Sequence, residues 1–199
     1  KCSHVVCHPN NASGGCQLKD NQVSQIEGVR IALVKSVTDS RGTFVKFHPQ
    51  SEFSDPLNCV AISMNPIPGT IRGLHFQLAP FSEEKLVTCL QGSILDITVD
   101  LREHSETFGK WAAIELSEAN MLQAYLPKGI AHGFQTLQAN SIVHYSLGAE
   151  YEPDSSYSVN PFGELGIKWP LPTNSISDKD ASGVSFILAA QKYAESLKN

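Results

Sequence analysis

The sequence predicts an all-β domain, folded as a β-sandwich or jelly roll and followed by a short C-terminal helix. Three observations support this prediction. Short strand-like runs recur along the chain, turn residues separate them, and helical periodicity is nearly absent before the C-terminus. The 199 residues, 41% hydrophobic and 18% charged, are enough for one substantial globular domain but not for two large ones.

The first strand-like runs are separated by clear turn signals. Residues 29–37, VRIALVKSV, alternate apolar and polar side chains, and TDSRGTF supplies a turn before the run FVKF at 44–47. The next run is 59–64, CVAISM, and it ends at NPIPG because proline and glycine interrupt a strand. Residues 70–77, TIRGLHFQ, form the run after that break.

The middle of the chain predicts a β-hairpin. Residues 85–101, KLVTCLQGSILDITVDL, contain two strand-like halves around Gln91-Gly92, and glycine at such a junction is typical of a hairpin turn. At the C-terminus, residues 185–199 space their apolar side chains as a helix does. The remaining strand-like runs are 111–116, 121–127 and 141–151.

Charge and hydropathy exclude several classes of function. The formal net charge is −5, so the chain has no basic surplus to neutralise the phosphates of a nucleic acid. No apolar run approaches the ~20 residues that a membrane helix needs. The first ten residues, KCSHVVCHPN, lack the apolar core of a signal peptide. We therefore expect a cytoplasmic protein that binds neither nucleic acid nor membrane.

The N-terminal segment, residues 1–26, differs from the rest by its cysteine and histidine content. A zinc site is one interpretation, but the segment has no C-x-x-C pair and its spacing fits none of the common zinc motifs. We expect a tail without metal here, and one folded domain over residues 27–199. The residues concerned are Cys2, His4, Cys7, His8 and Cys16.

Five polar residues on or beside the strand-like runs are candidates for a ligand site. Taken singly, each has an ordinary interpretation as a rim residue or a hydrogen-bonded core residue. Taken together, imidazole, phenol and cationic groups between two sheets suit proton transfer on an anionic substrate. These residues are Arg72, His75, Lys85, His132 and Tyr145.

Several motifs occur along the chain in a specific order. They are DSRGTF, TIRGLHFQ, KLVTCLQGSILDITVDLREHSETFGKW, LPKGIAHGF, VHYSLGAEYEP, LGIKWP and SDKD. Together they resemble the dTDP-4-dehydrorhamnose 3,5-epimerase family of sugar-nucleotide enzymes, over roughly residues 27–182. The resemblance implies a cupin-type jelly roll, a homodimer, a nucleotide-linked 4-keto-6-deoxy sugar as substrate, and chemistry that uses neither a metal nor another cofactor. It also implies a place in deoxysugar biosynthesis for cell-surface polysaccharides.

The resemblance also implies roles for nine residues. His75 matches the general base, Asp180 the carboxylate that orients this base, and Tyr145 the general acid. Lys85 matches the lysine beside the enolate that forms during the reaction. The substrate-binding positions match Arg41, Arg72, His132, Tyr151 and Lys179.

These residue types suit the inversion of a carbon atom next to a ketone. The C4 carbonyl acidifies the protons on C3 and C5, and a neutral imidazole near pH 7 can remove one of them. A carboxylate on the other ring nitrogen fixes the tautomer of the base. The Lys85 ammonium would stabilise the enolate oxygen, and Tyr145 would return a proton to the opposite face of the sugar.

Four positions depart from the family pattern. Lys46 and Ser156 replace glutamates and, if the alignment has no gap, Val60 and Ile62 replace a glutamine and an asparagine. Because lost hydrogen-bond partners change discrimination between substrates, we expect a substrate other than dTDP-4-keto-6-deoxyglucose. The alternative is a small gap in the alignment, with neighbours such as Asn58 supplying the missing groups.

Two other functions stay open at the level of sequence. One is a metal-dependent cupin enzyme that uses His75 and His132, although GLHFQ offers one histidine where such sites usually have a His-x-His pair. The other is a non-catalytic protein that binds a sugar nucleotide. The presence of a base with its aspartate and of a separate tyrosine argues against this second alternative.

Overall fold

The computed structural model describes residues 22–23, 25–47 and 52–198. Strands dominate this part of the chain, and helices occur near its C-terminal end, as the sequence predicts. The α-helices are α1 (Asp178–Ala181) and α2 (Phe186–Ser196), and a short 3₁₀-helix spans Pro153–Ser155. The strands are β1 (Gln22–Val23), β2 (Arg30–Leu33), β3 (Ser36–Asp39), β4 (Gly42–Val45), β5 (Cys59–Asn65), β6 (Ile71–Gln77), β7 (Lys85–Gln91), β8 (Ser93–Asp100), β9 (Trp111–Ser117), β10 (Leu122–Leu126), β11 (Ile130–Thr136), β12 (Ser141–Leu147) and β13 (Ser156–Ser158).

The strands form two antiparallel sheets packed as a sandwich. The larger sheet has the strand order β1-β2-β10-β7-β12-β5, and the smaller has the order β13-β6-β11-β8-β9. Strands β3 and β4 form a separate two-stranded hairpin. Because strands that follow each other in sequence often lie in different sheets, the arrangement is the predicted jelly roll rather than a simple meander.

The main hydrophobic core fills the space between the two sheets. Val87 and Cys89 of β7 meet Ile94 of β8 and Phe134 of β11, and all four side chains are buried. Alternate residues of these strands point inward, so each strand contributes one apolar face to the core. This burial of apolar surface is the main force that holds the sheets together.

A second core lies on the outer face of the smaller sheet. Ile97 and Val99 of β8 belong to the same buried cluster as Ala189 and Tyr193 of α2. Ser185 caps this helix by accepting a hydrogen bond from the Leu188 N–H. The predicted C-terminal helix is confirmed, and the structure shows that it covers the smaller sheet.

The predicted hairpin at residues 85–101 is wrong. Strands β7 and β8 lie in different sheets, so the chain crosses the sandwich at Gly92 instead of turning back on itself. Gly92 has φ +73°, and a Cβ at this position would lie 2.6 Å from Ser141 Oγ. A sharp corner between sheets needs the same positive φ as a tight hairpin, so the sequence signal does not separate the two.

The cysteine and histidine residues of the predicted N-terminal tail lie outside the described residues; they are Cys2, His4, Cys7, His8 and Cys16. Strand β1 pairs with β2, and Ile26 belongs to the main core, so residues just before the proposed boundary at 27 pack with the domain. Within the described part of the chain, none of the helices has the length and apolar character needed to cross a membrane.

Candidate active site

A cavity of about 390 Å³ lies between the two sheets and is lined by polar as well as apolar residues. Strands β5, β6, β7, β11 and β12 contribute its walls, and α1 closes one side. Eight of the nine site residues expected from the sequence line this cavity. They are Arg72, His75, Lys85, His132, Tyr145, Tyr151, Lys179 and Asp180.

His75 and Asp180 form a hydrogen-bonded pair at the cavity wall. His75 Nε2 lies 2.7 Å from Asp180 Oδ1. Asp180 also accepts hydrogen bonds from the Gly73 N–H at 3.2 Å and from Ser158 Oγ at 3.1 Å, and Ser177 caps the short helix that carries it. Burial alone would raise the pKa of Asp180, but these hydrogen bonds, that from His75 foremost, outweigh it and hold the pKa below its ordinary value. Asp180 is therefore an anion that can orient His75.

Lys85 lies beside the histidine pair at the start of β7. Its Nζ is 3.2 Å from Glu83 Oε1 and 3.4 Å from the backbone oxygen of His75. Both side chains of the ion pair are 9% exposed. A buried ammonium held by a carboxylate and a carbonyl is placed to stabilise negative charge that develops next to His75.

Tyr145 on β12 and His132 on β11 line the cavity from different sheets. The Tyr145 ring meets the His132 ring edge to face, with 6.2 Å between centroids. Burial, helped by the nearby Asp96 charge, raises the pKa of Tyr145 far above its ordinary value. The phenol therefore keeps its proton and can act as a hydrogen donor.

Two cationic side chains border the cavity near its opening. Arg72 Nε donates to Asn65 Oδ1 at 2.8 Å. Lys179 Nζ lies 3.4 Å from the Tyr151 hydroxyl and 3.3 Å from Ser156 Oγ, and it also sits 5.6 Å from the centre of the Tyr151 ring. Such a pair of cations, with hydroxyl groups around them, can receive an anionic group such as a diphosphate.

Arg41 is the expected site residue that does not line the cavity. It lies at the turn between β3 and β4, where its Nη2 is 2.6 Å from Asp39 Oδ2 and its side chain is 88% exposed. Lys46, beyond the same hairpin, contacts the Phe44 ring instead of the cavity. The hairpin thus stands apart from this cavity.

The structure corrects the ungapped placement of the family's glutamine and asparagine on β5. Val60 and Ile62 point away from the cavity and are more than half exposed, whereas Ala61 and Ser63 face it. Asn58 does not replace them, because its side chain donates to two backbone carbonyls. Val60 and Ile62 therefore do not line the cavity, and the cavity side of β5 carries two small side chains.

Several partners of the cavity side chains escaped the sequence analysis. Asp96 pairs with His132, Glu83 pairs with Lys85, and Asn65 binds Arg72. Asp96 had a usable signal, since a lone carboxylate within the apolar run ILDITV is costly unless it has a partner. Glu83 and Asn65 lie next to turns, where polar residues are common, so no sequence signal marked them.

Neither cavity histidine belongs to a cluster of metal ligands in the described part of the chain. No group of three or more His, Cys, Asp or Glu side chains there is arranged to hold a metal ion. His75 and His132 each direct Nε2 at one aspartate instead. The alternative of a metal-dependent cupin enzyme thus has no candidate ligand set among these residues.

Comparison with known proteins identifies the family. Residues 23–187 match the family model of dTDP-4-dehydrorhamnose 3,5-epimerase. The chain is 35% identical over 178 residues to a dTDP-4-dehydrorhamnose 3,5-epimerase of Sinorhizobium fredii, covering 85% of this chain and 91% of that protein. It is 38% identical over 161 residues to the Mycobacterium tuberculosis enzyme of the same name, covering 74% and 78%.

Solved structures agree with this assignment. The dTDP-6-deoxy-D-glucose-3,5-epimerase of Legionella pneumophila, in complex with dTDP-4-keto-L-rhamnose, superposes with a TM-score of 0.79 at 33% identity. The match covers 85% of this chain and 93% of that one. The shared fold is the cupin-like jelly roll. The chain belongs to the dTDP-4-dehydrorhamnose 3,5-epimerase family.

Proposed function

We propose that the protein inverts one or both carbon atoms next to the C4 ketone of a nucleotide-linked 4-keto-6-deoxy sugar. The observation that carries this proposal is the 2.7 Å contact between His75 and Asp180 in the wall of a cavity. It supplies a base with a fixed tautomer, and the family of the chain consists of enzymes that need one.

The position of the acid relative to the base accounts for inversion. His75 is on β6 of the smaller sheet, and Tyr145 is on β12 of the larger sheet. A sugar ring bound between the sheets has the base on one face and the phenol on the other. His75 Nδ1 removes a proton from C3 or C5, Lys85 stabilises the enolate, and Tyr145 returns a proton to the opposite face.

The cations at the cavity opening are proposed to bind the diphosphate of the substrate. Arg72 and Lys179 flank this opening, and Tyr151 offers an aromatic face that is 64% exposed. His132 completes the set of proposed substrate-binding residues inside one subunit. A few nearby cations, rather than an extended basic surface, would then hold the anionic substrate.

The sugar or nucleotide is proposed to differ from dTDP-4-keto-6-deoxyglucose. Ala61 and Ser63 on β5, together with Ser156, offer less hydrogen-bonding capacity than the glutamine, asparagine and glutamate of the family pattern. A site that lacks these hydrogen-bonding groups has a weaker preference for the substrate that would pair with them. It also leaves room for a larger substituent.

We further propose that the protein is a cytoplasmic homodimer. The outer face of β5 exposes Val60, Ile62 and Met64 by 54–70%, and the β3–β4 hairpin exposes Val37 and Phe44 by 66% and 64%. Exposed apolar side chains of this kind are typical of an interface. A second copy would also explain Arg41, which reaches no substrate within its own subunit and would have to serve the partner's cavity.

Solvent exchange tests the proposed function directly. The protein is incubated in D₂O with dTDP-, GDP- and CDP-linked 4-keto-6-deoxy sugars, and NMR follows deuterium at C3 and C5 together with the configuration of each carbon. An epimerase incorporates deuterium and inverts at least one centre. Binding of a sugar nucleotide without exchange at carbon would instead indicate a non-catalytic binding protein.

A further inference from the structure

Gln77 uses its side-chain amide to bind the backbone of two loops beside the cavity. It lies at the end of β6, lines the cavity and is 5% exposed. Its Nε2 donates to the Phe81 oxygen and to the Glu150 oxygen, each at 3.1 Å. Its Oε1 accepts from the Glu152 N–H at 2.7 Å. Both amide hydrogens and the amide oxygen are therefore engaged.

Two of these contacts hold the main chain on either side of Tyr151. Glu150 and Glu152 flank this tyrosine in the loop between β12 and the 3₁₀-helix, outside the strands. The Tyr151 residue is 64% exposed, so packing contributes little to its position. Its hydroxyl lies 3.4 Å from Lys179 Nζ, which is long for a hydrogen bond. The place of the ring at the cavity opening therefore depends on the backbone contacts that Gln77 makes.

An amide of this length matches the polar groups of the two loops, which are two carbonyl oxygens and one N–H. A glutamate would face the carbonyls of Phe81 and Glu150 with acceptor oxygens, and a methionine would offer no donor. The backbone of Gln77 is paired separately, with Ser156 of β13. The residue thus serves the sheet with its backbone and the loops with its side chain.

Gln77 and the proposed base lie on the same face of the same strand. His75 precedes Gln77 by two positions, and both side chains line the cavity. Because a strand rises ~3.3 Å per residue, their Cα atoms are roughly 6.6 Å apart. Strand β6 therefore connects the position of proton transfer to the position of the loop that carries Tyr151.

We propose that Gln77 is a positioning residue that acts through Tyr151 on binding of the nucleotide part of the substrate. This inference rests on the proposed function, in which Tyr151 belongs to the substrate-binding set at the cavity opening. A loop that is already ordered in the free protein loses less conformational entropy when a ligand binds. With the Gln77 contacts in place, the aromatic face of Tyr151 is held ready for the nucleotide.

The proton-transfer residues are held by other contacts. Lys85 lies in register with Leu126 of β10 and with Leu147 of β12. His75 binds Asp180 through its ring. Loss of the Gln77 amide should therefore weaken nucleotide binding and leave kcat almost unchanged. A general loss of stability would not produce this separation.

Hydrogen exchange tests the loop contacts without a ligand. In Gln77→Met the Glu152 N–H loses its acceptor, so mass spectrometry should show roughly tenfold faster exchange in peptides that cover residues 148–153. Gln135→Met is the matched control, because Gln135 is also a buried glutamine whose amide binds a loop backbone, at Leu171. Gln135 does not line the cavity, and its loss should leave residues 148–153 unchanged. Wild-type protection of these residues in Gln77→Met would overturn the proposal.

Calorimetry tests the consequence for binding. Wild type is titrated with dTDP, GDP and CDP, and the nucleotide that binds most tightly is used for the variants. We expect Gln77→Met to raise its Kd roughly tenfold, because the ligand then has to order the loop. Gln135→Met should keep the wild-type Kd, and kcat for deuterium exchange should stay within about threefold in both variants. Wild-type Kd in folded Gln77→Met would overturn the proposed role.

A double-mutant cycle decides whether Gln77 acts through Tyr151. If it does, Gln77→Met has no further effect on Kd once Tyr151→Ala has removed the ring. Equal fold-changes in the two backgrounds would overturn the proposal. Gln77→Glu is the second variant if Gln77→Met does not fold. It keeps the length and an acceptor for the Glu152 N–H, but its carboxylate faces two carbonyls, so the same weakening of nucleotide binding is expected.

These experiments separate the inference from the proposed function. A wild type that binds a nucleotide but exchanges no carbon-bound hydrogen would end the epimerase proposal and leave the role of Gln77 in binding intact. A wild type that binds none of the three nucleotides would overturn both the proposed substrate class and the role of Gln77.

Discussion

His75 has two ring nitrogens with separate tasks in the proposed reaction. Nε2 is held by Asp180 at 2.7 Å, and this contact leaves Nδ1 for the proton on carbon. Asp180 in turn keeps its charge because Gly73 and Ser158 share in binding it. The orientation of His75 therefore depends on its contact with Asp180 and, through Asp180, on Gly73 and Ser158.

His75→Asn tests this assignment. The amide cannot accept a proton from carbon, so deuterium exchange should fall by roughly 10²–10⁴-fold or more. Binding of dTDP, measured by calorimetry, should stay largely intact. His104→Asn, on an exposed turn, is the matched control and should behave as the wild type. Near wild-type exchange in His75→Asn would rule out His75 as the base.

Tyr145→Phe separates proton removal from proton return. The ring and its contact with His132 remain, but the proton that burial and Asp96 keep on the phenol is lost. Exchange at carbon should therefore persist after net inversion has largely ceased. Both rates come from one NMR time course in D₂O. A parallel fall of exchange and inversion would mean that Tyr145 is not a separate acid.

Among the structural elements, the loop between β8 and β9 shows how polar contacts hold an irregular segment in place. Asp100 at the end of β8 accepts hydrogen bonds from Arg102, Ser105 and Thr107, and Arg102 also binds the backbone oxygen of Glu27. One buried carboxylate thus organises the loop and joins it to the segment before β2. The network lies away from the cavity residues, so it serves stability.

Asp100→Asn should destabilise the fold by about 3–5 kcal/mol, because it leaves the Arg102 guanidinium without its partner. Burial opposes the charge of Asp100, but the hydrogen bonds from Arg102, Ser105 and Thr107 lower its pKa. A lowered folded-state pKa gives stability that is complete above about pH 4, the ordinary aspartate pKa, and is lost as pH falls below it. The difference in unfolding free energy between wild type and variant should therefore shrink in acid.

Urea denaturation at pH 7 and at pH 3 measures this difference. Asp154→Asn, at an exposed position, is the control and should change stability little at either pH. A difference between wild type and Asp100→Asn that is the same at both pH values would contradict the role of the Asp100 charge.

For the whole molecule, the sandwich itself positions the chemistry. It places the base and the acid on opposing sheets, while the exposed face of β5 and the β3–β4 hairpin remain outside. A homodimer formed over this outer surface would bury the apolar side chains and bring a second hairpin to each subunit. The assembly would then be part of the site rather than an addition to it.

Ile62→Glu tests the proposed homodimer. A charge on the outer face of β5 should weaken association at least tenfold, equivalent to about 1.4 kcal/mol, because it would have to be buried at the interface. Analytical ultracentrifugation at several concentrations measures the dissociation constant. Leu197→Glu changes a comparably exposed residue after α2 and should not alter it. A monomeric wild type at micromolar concentration would contradict the dimer.

The sequence by itself determined the all-β class, most strand positions, the C-terminal helix and the motif residues that meet in the cavity. Those features depend on local patterns: alternation along a strand, helical spacing at 185–199, and short motifs such as RGLHFQ. His75, Lys85, Tyr145 and Asp180 share one cavity although 105 positions separate the histidine from its aspartate.

The tertiary structure alone decided the partners across the sandwich. Gly92 lies at a corner between the two sheets. The sequence did not predict this, because a glycine with positive φ suits a hairpin turn as well as a corner. On β5, Val60 and Ile62 face outward and Ala61 and Ser63 face the cavity, since side chains along a strand alternate with a period of two. The pairing of His132 with Asp96 joins two strands that are adjacent in the sheet but far apart in sequence, and local patterns carry no record of such contacts.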